Sequence, residues 1–214
     1  MTDIHYAYLH GFASSPLSRK GQALEANFAE HGETLHLPDL NQPSFAELTL
    51  TRALWAVDEL AARFPRGKWR FIGSSMGGWI AARWAELHPK RVDRLLLLCP
   101  GFDLVSRWPQ MLGERQMKRW EANGSLPFPD ATGNPVRVHW GLIEDAREQP
   151  AFPEVPCATV IVHGTSDEVV PVEISREYAS ERDHVSLVEV DDEHALTHSV
   201  PLIAEVAAKH FVLG

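Results

Sequence analysis

The sequence contains little cysteine and a deficit of positive charge. Only Cys99 and Cys157 occur among 214 residues, which argues against a disulfide framework, and we interpret both as free thiols at the ends of buried strands. Lys and Arg number 20 against 29 Asp and Glu, giving a net charge of −9. Nucleic acids and anionic membranes bind basic faces, so neither is an expected partner.

Long apolar runs and targeting signals are also missing. The longest purely apolar run, residues 95–99, is far too short to cross a bilayer. Asp3 and His5 stand before only a short apolar stretch, so no secretory signal is predicted. Together with free thiols, these features predict a cytoplasmic protein. The length and an apolar content of 44% predict one globular domain over residues 1–214.

What the sequence does contain is a regular alternation of short apolar runs and helical periodicity. This pattern is typical of βαβ units. Strands are predicted at residues 4–9, 34–37, 69–72, 92–99, 158–162 and 185–190. Helices are predicted at residues 18–30, 50–64, 76–88, 172–179 and 201–212. The predicted fold class is therefore α/β, with a mostly parallel sheet of about six strands and helices on both faces.

Residues 101–156 interrupt this alternation. The segment has 56 residues where a crossover needs about a dozen, and it holds seven of the 15 prolines. It also contains Trp108, Trp120 and Trp140, which suit either an apolar pocket or the core. We interpret it as an inserted cap over the C-terminal edge of the sheet, where long insertions shape ligand sites. The alternative is a long crossover with one ordinary helix.

A Gly-x-Ser-x-Gly motif has Ser75 at its centre. The motif follows a predicted strand and opens a predicted helix, which is the setting of a nucleophile elbow. Gly73 and Gly77 leave room for the strained turn that this geometry requires. The amide of Met76 lies at the helix N-terminus, where it favours a developing oxyanion. The alternative is a glycine-rich turn with idle serines.

The loop after the first predicted strand begins with His10, Gly11 and Phe12. Such a loop supplies the second oxyanion donor in this type of site, and the amide of Phe12 is the candidate. Gly11 lets the backbone turn toward the nucleophile. His10 either braces the loop by hydrogen bonding or is an ordinary core histidine.

A candidate acid and a candidate base follow the last two predicted strands. Asp167 lies in the loop after one of them, with Glu168 as its neighbour, and His194 lies just past the other. Because the C-terminal ends of parallel strands meet at one edge of a sheet, we expect Ser75, Asp167 and His194 to converge there. That order along the chain, serine then acid then histidine, is the one this fold uses.

Other residues remain candidates for the same roles. Ser74 is an alternative nucleophile, although it lies off the apex of the turn, and Asp103 and His198 are an alternative acid and base. Asp167 could instead cap the following helix, and His194 could be a loop histidine beside solvated acids.

A metal site is a competing interpretation of the segment after the last strand. His194 and His198 are four residues apart and would face one way on a helix, and Asp191, Asp192 and Glu193 add further oxygen ligands. The sequence implies no third ligand group of the kind such sites use, so we predict no metal.

In combination, these motifs resemble those of the α/β-hydrolase superfamily and, more narrowly, of the small bacterial esterases of the YqiA type. The matching segments are residues 9–12 with 14–16, 73–78, 167–169 and 194–195. The resemblance implies a carboxylesterase that acts on small acyl esters without a cofactor, and a sheet that lacks the first two strands of the full superfamily fold. Ala13 stands where asparagine is usual, and residues 101–156 do not align, so substrate identity does not transfer.

The predicted function is therefore a serine hydrolase that forms an acyl-enzyme, with the oligomeric state left open. The alternatives on the same residues are thioester hydrolysis, C–C bond hydrolysis and peptide cleavage. A cluster of Arg107, Arg115, Lys118 and Arg119 would suit a coenzyme A thioester, but a solvated helix face explains it equally well. A non-catalytic binding protein that retains the fold is the alternative from another class.

Overall fold

A parallel six-stranded sheet is the centre of the computed structural model, which describes residues 3–214. The eight strands are β1 (Ile4–Leu9), β2 (Leu35–His36), β3 (Lys68–Ser74), β4 (Val92–Leu98), β5 (Ser125–Pro129), β6 (Pro135–His139), β7 (Ala158–Gly164) and β8 (Val185–Val190). The sheet has the order β2-β1-β3-β4-β7-β8, and every neighbouring pair in it is parallel. Strands β5 and β6 form a separate antiparallel pair.

Eight α-helices connect and cover these strands. They are α1 (Arg19–Glu30), α2 (Leu50–Ala62), α3 (Met76–Leu87), α4 (Leu104–Leu112), α5 (Glu114–Asn123), α6 (Gly141–Arg147), α7 (Val172–Ser180) and α8 (Val200–Phe211). Helices α1 and α8 pack on one face of the sheet, and α2, α3 and α7 pack on the other. The predicted α/β class, with six parallel strands between two layers of helices, is confirmed.

Strand β4 shows why the sheet lies in the middle. Leu95 and Leu97 point into the core under α2 and α3, whereas Leu96 and Leu98 point into the core under α1 and α8. All four side chains are fully buried. Side chains alternate between the faces of a strand, so an unbroken apolar run can serve two cores at once. Burying each leucine contributes about 2 kcal/mol.

Hydroxyl caps fix where the first two helices begin. Ser18 Oγ accepts a hydrogen bond of 3.2 Å from the amide of Gly21, and Thr49 Oγ1 accepts one of 3.1 Å from the amide of Arg52. Such a cap contributes about 1 kcal/mol to helix stability. The start of α1 matters for the site, because this helix follows directly on the loop after β1.

Residues 101–156, called the long connection below, contain α4, α5, the β5–β6 hairpin and α6. The segment therefore holds three helices and a hairpin instead of one ordinary crossover helix. Its tryptophans join the buried core, with Trp120 packed edge-on against both Trp108 and Trp140. Helix α6 is tied to α2 by a 3.0 Å hydrogen bond from the amide of Thr51 to Asp145 Oδ2.

Both cysteines are free thiols. Cys99 is buried at the end of β4, as predicted, and Cys157 is partly buried just before β7, where it packs against the core. Within residues 3–214, every helix is too short or too polar to cross a bilayer.

Candidate active site

Ser75 lies at the apex of the turn from β3 into α3. Its backbone has φ 54° and ψ −118°, a strained conformation for a residue with a side chain. The carbonyl of Ser75 accepts hydrogen bonds from the amides of Gly78, Trp79 and Gly101, which hold the turn in this conformation. The side chain is thereby directed away from the sheet edge toward two neighbouring cavities.

The turn is possible only because Gly73 and Gly77 have no side chains. A Cβ on Gly73 would lie 2.3 Å from the carbonyl oxygen of Gly77. A Cβ on Gly77 would lie 2.1 Å from the carbonyl oxygen of Leu9, at the end of β1. Neither neighbour is a flexible side chain, so a larger residue would force apart the strand and the helix.

Gly77→Ala should therefore destabilise the protein by about 3 kcal/mol, since the added methyl group overlaps with backbone that cannot move independently. This corresponds to a fall of about 6 to 12 °C in Tm for a chain of this size, measurable by calorimetry. Gly141→Ala is the control: nothing lies within 4 Å of its added Cβ at the start of α6. An unchanged Tm for Gly77→Ala would contradict the close approach.

Ser75, His194 and Asp167 form one continuous hydrogen-bonded chain. His194 Nε2 lies 2.9 Å from Ser75 Oγ, and His194 Nδ1 lies 2.7 Å from Asp167 Oδ2. The three side chains come from the loops after β3, β7 and β8, all at the C-terminal edge of the sheet. In this arrangement Nδ1–H donates to the carboxylate, which leaves Nε2 free to accept a proton from the serine hydroxyl.

Asp167 is held as an ion by four donors. Its Oδ1 accepts 2.8 Å hydrogen bonds from the amides of Val169 and Val170, and its Oδ2 faces His194 Nδ1 at 2.7 Å and His163 Nε2 at 3.2 Å. Burial by itself would raise the pKa of this carboxyl, but the hydrogen bonds from His163, His194 and Val170 lower it well below its usual range. Asp167 does not cap α7, whose N-cap is Pro171.

His163 is a contact of the acid that the sequence analysis did not assign. It is fully buried at the end of β7, four residues before Asp167, with Nδ1 2.7 Å from Ser175 Oγ and Nε2 2.8 Å from the carbonyl oxygen of Val170. Two acceptors face Nε2, so this nitrogen carries the proton and donates to both. The i, i+4 spacing across the turn after β7 is the only signal that the sequence offered.

The loop after β1 approaches Ser75 closely, and the amide of Met76 directly follows Ser75 at the start of α3. A Cβ on Gly11 would lie 3.2 Å from Ser75 Cβ, which shows how closely this loop approaches. Among residues 3–214, neither the amide of Phe12 nor that of Met76 has a protein acceptor. Both N–H groups are therefore free of competing protein acceptors in this part of the chain.

His10 and Ala13 give this loop its shape. His10 is fully buried; its Nε2 accepts a 3.0 Å hydrogen bond from the amide of Leu40, so its Nδ1–H donates to the carbonyl of Gly11 at 2.9 Å. It therefore braces the loop and is also a satisfied core histidine, which combines the two predicted alternatives. The left-handed residue of the loop is Ala13, at φ 55°, a conformation in which asparagine or glycine is less strained.

Phe12 is anchored by its side chain in the long connection. Its ring packs edge-on against Trp108 and Phe128, at centroid distances of 5.3 Å in both cases, and lies tilted against Phe45 at 5.0 Å. Aromatic pairs of this kind contribute about 1 kcal/mol each beyond the area that they bury. The direction of the Phe12 amide thus depends on residues far along the chain.

The alternative candidates lie elsewhere or are engaged differently. Asp103 precedes α4 and accepts a hydrogen bond from Ser106, while the side chain of His198 is 88% exposed. Asp192 is buried and accepts hydrogen bonds from the amides of His198 and Ser199, so it fixes the start of α8. Ser74 accepts a hydrogen bond of 3.1 Å from Lys20 Nζ and does not contact His194.

The predicted alternative metal ligands around His194 do not gather in the described part of the chain. The one group of potential ligand atoms found there is Cys99, His163 and Asp167, all within 4.8 Å of one another. Burial raises the pKa of the Cys99 thiol far above its usual range, which disfavours the thiolate that metals bind. We assign these three residues to the hydrogen-bonded surroundings of the acid.

Two cavities meet at Ser75 and His194. The smaller, of about 150 Å³, is lined mainly by apolar side chains of the long connection and its surroundings, namely Met76, Phe102, Leu104, Trp108, Met111 and Val170. The larger, of about 530 Å³, lies on the side of α1 and also has a largely apolar lining, but it adds the polar side chains of Ser14, Ser18, Lys20 and Thr197. An ester carbonyl at Ser75 would thus have different surroundings for its two halves.

Comparison with known protein families gives one match that covers nearly the whole chain. The family described as "Uncharacterised protein family (UPF0227)" matches residues 5–211. The match includes every residue of the candidate site.

Two curated proteins are more distant relatives. The mitochondrial palmitoyl-protein thioesterase ABHD10 of Bos taurus is 28% identical over 141 residues, which are 63% of this chain and 44% of the relative. The pimeloyl-[acyl-carrier protein] methyl ester esterase of Chromobacterium violaceum is 24% identical over 178 residues, 68% of this chain and 65% of the relative. The chain thus spans less than half of the length of the first relative.

A solved structure shares the architecture. The mouse alpha/beta hydrolase domain-containing protein 10 superposes with a TM-score of 0.77 over 99% of this chain and 91% of the mouse chain, at 20% sequence identity. The fold is therefore that of the α/β hydrolases, as the sequence motifs predicted.

Proposed function

The chain belongs to the uncharacterised protein family UPF0227, and on that premise we propose that it is a serine hydrolase that cleaves carboxylic esters with Ser75 as nucleophile. The observation that carries the proposal is the unbroken hydrogen-bonded chain from Ser75 Oγ through His194 to Asp167. A serine hydroxyl is a weak nucleophile until an oriented base removes its proton, and this chain has the geometry for that step.

The first half-reaction acylates the serine. Ser75 Oγ attacks the ester carbonyl while His194 Nε2 takes its proton, and the amides of Phe12 and Met76 donate to the oxyanion. The tetrahedral intermediate then collapses, the carbon–oxygen bond to the alcohol breaks, and His194 protonates the departing alcohol. The absence of protein acceptors for both amides in residues 3–214 supports this assignment.

The second half-reaction returns the free enzyme. His194 removes a proton from water, the hydroxide attacks the acyl carbon, and the serine oxygen leaves with that proton. Asp167 keeps His194 in the tautomer with a proton on Nδ1 and stabilises the imidazolium formed in each step. The low pKa of Asp167 supports this role, because the carboxylate stays ionised wherever His194 can act as a base.

We further propose that the long connection acts as a cap that shapes the smaller cavity. Leu104, Trp108 and Met111 of α4 line that cavity, which suits a small apolar acyl or alcohol group. Arg107, in the same helix, donates two hydrogen bonds to the carbonyl of Val169. Residues 1–214 then form one catalytic domain with this cap inserted in it.

Thioester hydrolysis is a second candidate, supported by the name of the bovine relative. The same nucleophile and oxyanion donors serve both reactions, because each begins with attack on an acyl carbon. The four basic residues considered for binding coenzyme A do not form one exposed patch. Arg107 is buried and bonded to Val169, whereas Arg115, Lys118 and Arg119 are exposed on α5. A small neutral ester is therefore the first substrate to test.

A fluorophosphonate probe followed by peptide mapping tests the proposal directly. We expect one label, on Ser75, together with hydrolysis of 4-nitrophenyl butanoate and blocking of that hydrolysis by the probe. A parallel panel of butanoyl ester, thioester and amide distinguishes the bond types by kcat/KM. Absence of labelling together with absence of turnover on every panel member would instead support a non-catalytic binding protein.

A further inference from the structure

The cavity of about 530 Å³ beside Ser75 contains a lysine that the proposed reaction does not use. Lys20 lines this cavity with Ser75, His194 and Ser74, and its Nζ donates a 3.1 Å hydrogen bond to Ser74 Oγ. Ser74 is the residue directly before the proposed nucleophile. The ammonium group is therefore held one residue away from the reacting serine.

Lys20 has no direct ion-pair partner in the described part of the chain. No carboxylate oxygen of residues 3–214 lies within 4.0 Å of its Nζ, and the hydroxyl of Ser74 is the one side-chain group in these residues that accepts a hydrogen bond from it. The side chain is partly buried, and burial lowers the pKa of the ammonium group to about 8. Other acids, Asp167 and Asp192, oppose that shift only from a distance.

The position of Lys20 in α1 further destabilises its charged form. Lys20 is the second residue of this helix, and the N-terminal end of a helix carries a partial positive charge that disfavours cations. A charge that is both desolvated and at the unfavourable end of a helix is destabilising unless something of opposite charge binds to it. Stability alone thus gives no reason for a lysine here.

The two cavities at Ser75 divide a bound ester into two halves. The half in the small cavity contacts apolar side chains, whereas the half in the larger cavity contacts the ammonium group of Lys20 as well as apolar side chains such as Tyr8 and Val200. Arg19 also lines the larger cavity and is exposed, which adds a second positive charge. The two cations among apolar groups fit an anionic substituent that is carried on an otherwise apolar group.

We propose that Lys20 binds an anionic substituent, a carboxylate or a phosphate, on the half of the ester that occupies the larger cavity. The substrate class is then esters or thioesters with one small apolar half and one anionic half. This inference rests on the proposed function, since it assigns a binding group to the same site. Lys20 in this role determines specificity and takes no part in the bond cleavage.

The test compares Lys20→Met with the wild type on matched esters. One set consists of butanoyl esters of phenols that carry a para carboxylate, phosphate or carboxamide, and the other pairs monomethyl glutarate with methyl glutaramate. For each protein the kcat/KM of an anionic ester is divided by that of its neutral amide partner. The intrinsic reactivities of the two esters are the same for both proteins, so they cancel when the ratios of Lys20→Met and wild type are compared. The two sets distinguish an anion on the alcohol half from one on the acyl half, and the phenyl esters distinguish carboxylate from phosphate.

The wild type should prefer at least one anionic ester, and Lys20→Met should reduce the anionic-to-neutral ratio of kcat/KM by about 10- to 100-fold, the effect of losing a charge-assisted hydrogen bond. Lys90→Met is the matched control, because Lys90 is exposed before β4 at the opposite edge of the sheet, and its ratio should stay at the wild-type value. An equal ratio in wild type and Lys20→Met for every pair would overturn the inference.

A measurement on the wild type alone covers the case in which Lys20→Met does not fold. Inhibition of 4-nitrophenyl butanoate hydrolysis by 4-hydroxybenzoate and by inorganic phosphate is compared with inhibition by 4-hydroxybenzamide. Competitive inhibition by an anion, at least 10-fold stronger than by the amide, supports the anion site; equal inhibition refutes it. Turnover of the neutral ester reports separately on the proposed function, which fails only if that turnover and the labelling of Ser75 are both absent.

Discussion

Ser75→Ala is expected to lose ester hydrolysis almost completely while keeping the fold. The expected loss in kcat is on the order of 10⁶, the size seen when the serine of another Ser-His-Asp enzyme is removed. The reason is that, within residues 3–214, Ser75 Oγ is the one hydrogen-bond partner of His194 Nε2, so no other hydroxyl of these residues is placed to replace it. The oxyanion donors are backbone amides and survive the substitution, which leaves a small residual rate over water.

Steady-state kinetics with 4-nitrophenyl butanoate, together with circular dichroism and thermal unfolding, would measure this effect. Alanine carries a Cβ like serine, so the strained turn at φ 54° costs the same, and Tm should change by only a few degrees. Ser74→Ala should still be labelled by a fluorophosphonate. If Ser75→Ala kept more than a hundredth of the activity, or if Ser74→Ala lost the label instead, the nucleophile would be wrongly assigned.

Asp167→Asn should reduce kcat by about 10⁴-fold, as the same change does in a chymotrypsin-type triad. The two carboxylate oxygens of Asp167 face different donors: the amides of Val169 and Val170 on one side, and His194 and His163 on the other. An asparagine has one oxygen only. It would turn this oxygen toward the fixed backbone donors and present its NH₂ group to the histidines.

The NH₂ group would then stabilise the wrong tautomer of His194. With Nδ1 as an acceptor, Nε2 carries the proton and cannot take one from Ser75. A pre-steady-state burst assay would show slow acylation with nearly unchanged substrate binding. Glu168→Gln and Asp103→Asn are the matched controls, since Glu168 is exposed and Asp103 contacts Ser106, and both should retain wild-type rates. A large loss of activity in either control, with little loss in Asp167→Asn, would show that Glu168 or Asp103, and not Asp167, is the acid.

Much of the fold could be predicted from local sequence patterns. Each strand of the main sheet is a short apolar run, and each predicted helix has an apolar stripe that the structure buries, so the predicted bounds differ by no more than two residues from those observed. Ser75 could be predicted because its motif constrains the backbone and not just the residue type: the glycines on either side approach other backbone within 2.4 Å of an added Cβ. The convergence of Asp167 and His194 on Ser75 could be predicted because parallel strands end at the same edge of the sheet, whereas their catalytic roles stay a prediction.

The rest of the site depends on contacts between distant segments, for which one sequence carries no signal. Lys20 lies in an amphipathic helix, where a lysine is ordinarily solvated; only the packing of α1 against the sheet brings it to Ser74. His163 at the end of a strand gives no sign of the acid that it contacts. Within the long connection α4 and α5 are amphipathic, but the hairpin and the packing of the aromatic rings against one another depend on contacts between segments.

The long connection is attached both to the loop after β1, which carries the proposed oxyanion donor Phe12, and to the loop after β7, which carries the proposed acid Asp167. Trp108 and Phe128 pack against the ring of Phe12. Arg107 donates hydrogen bonds to the carbonyl of Val169, whose own amide donates to Asp167. A chimera that exchanged residues 101–156 for the equivalent stretch of a relative would therefore disturb the oxyanion donor and the acid at once. Selectivity and turnover are expected to change together in such hybrids, so a redesign of the proposed hydrolase for new substrates should retain these two attachments and alter only the side chains between them.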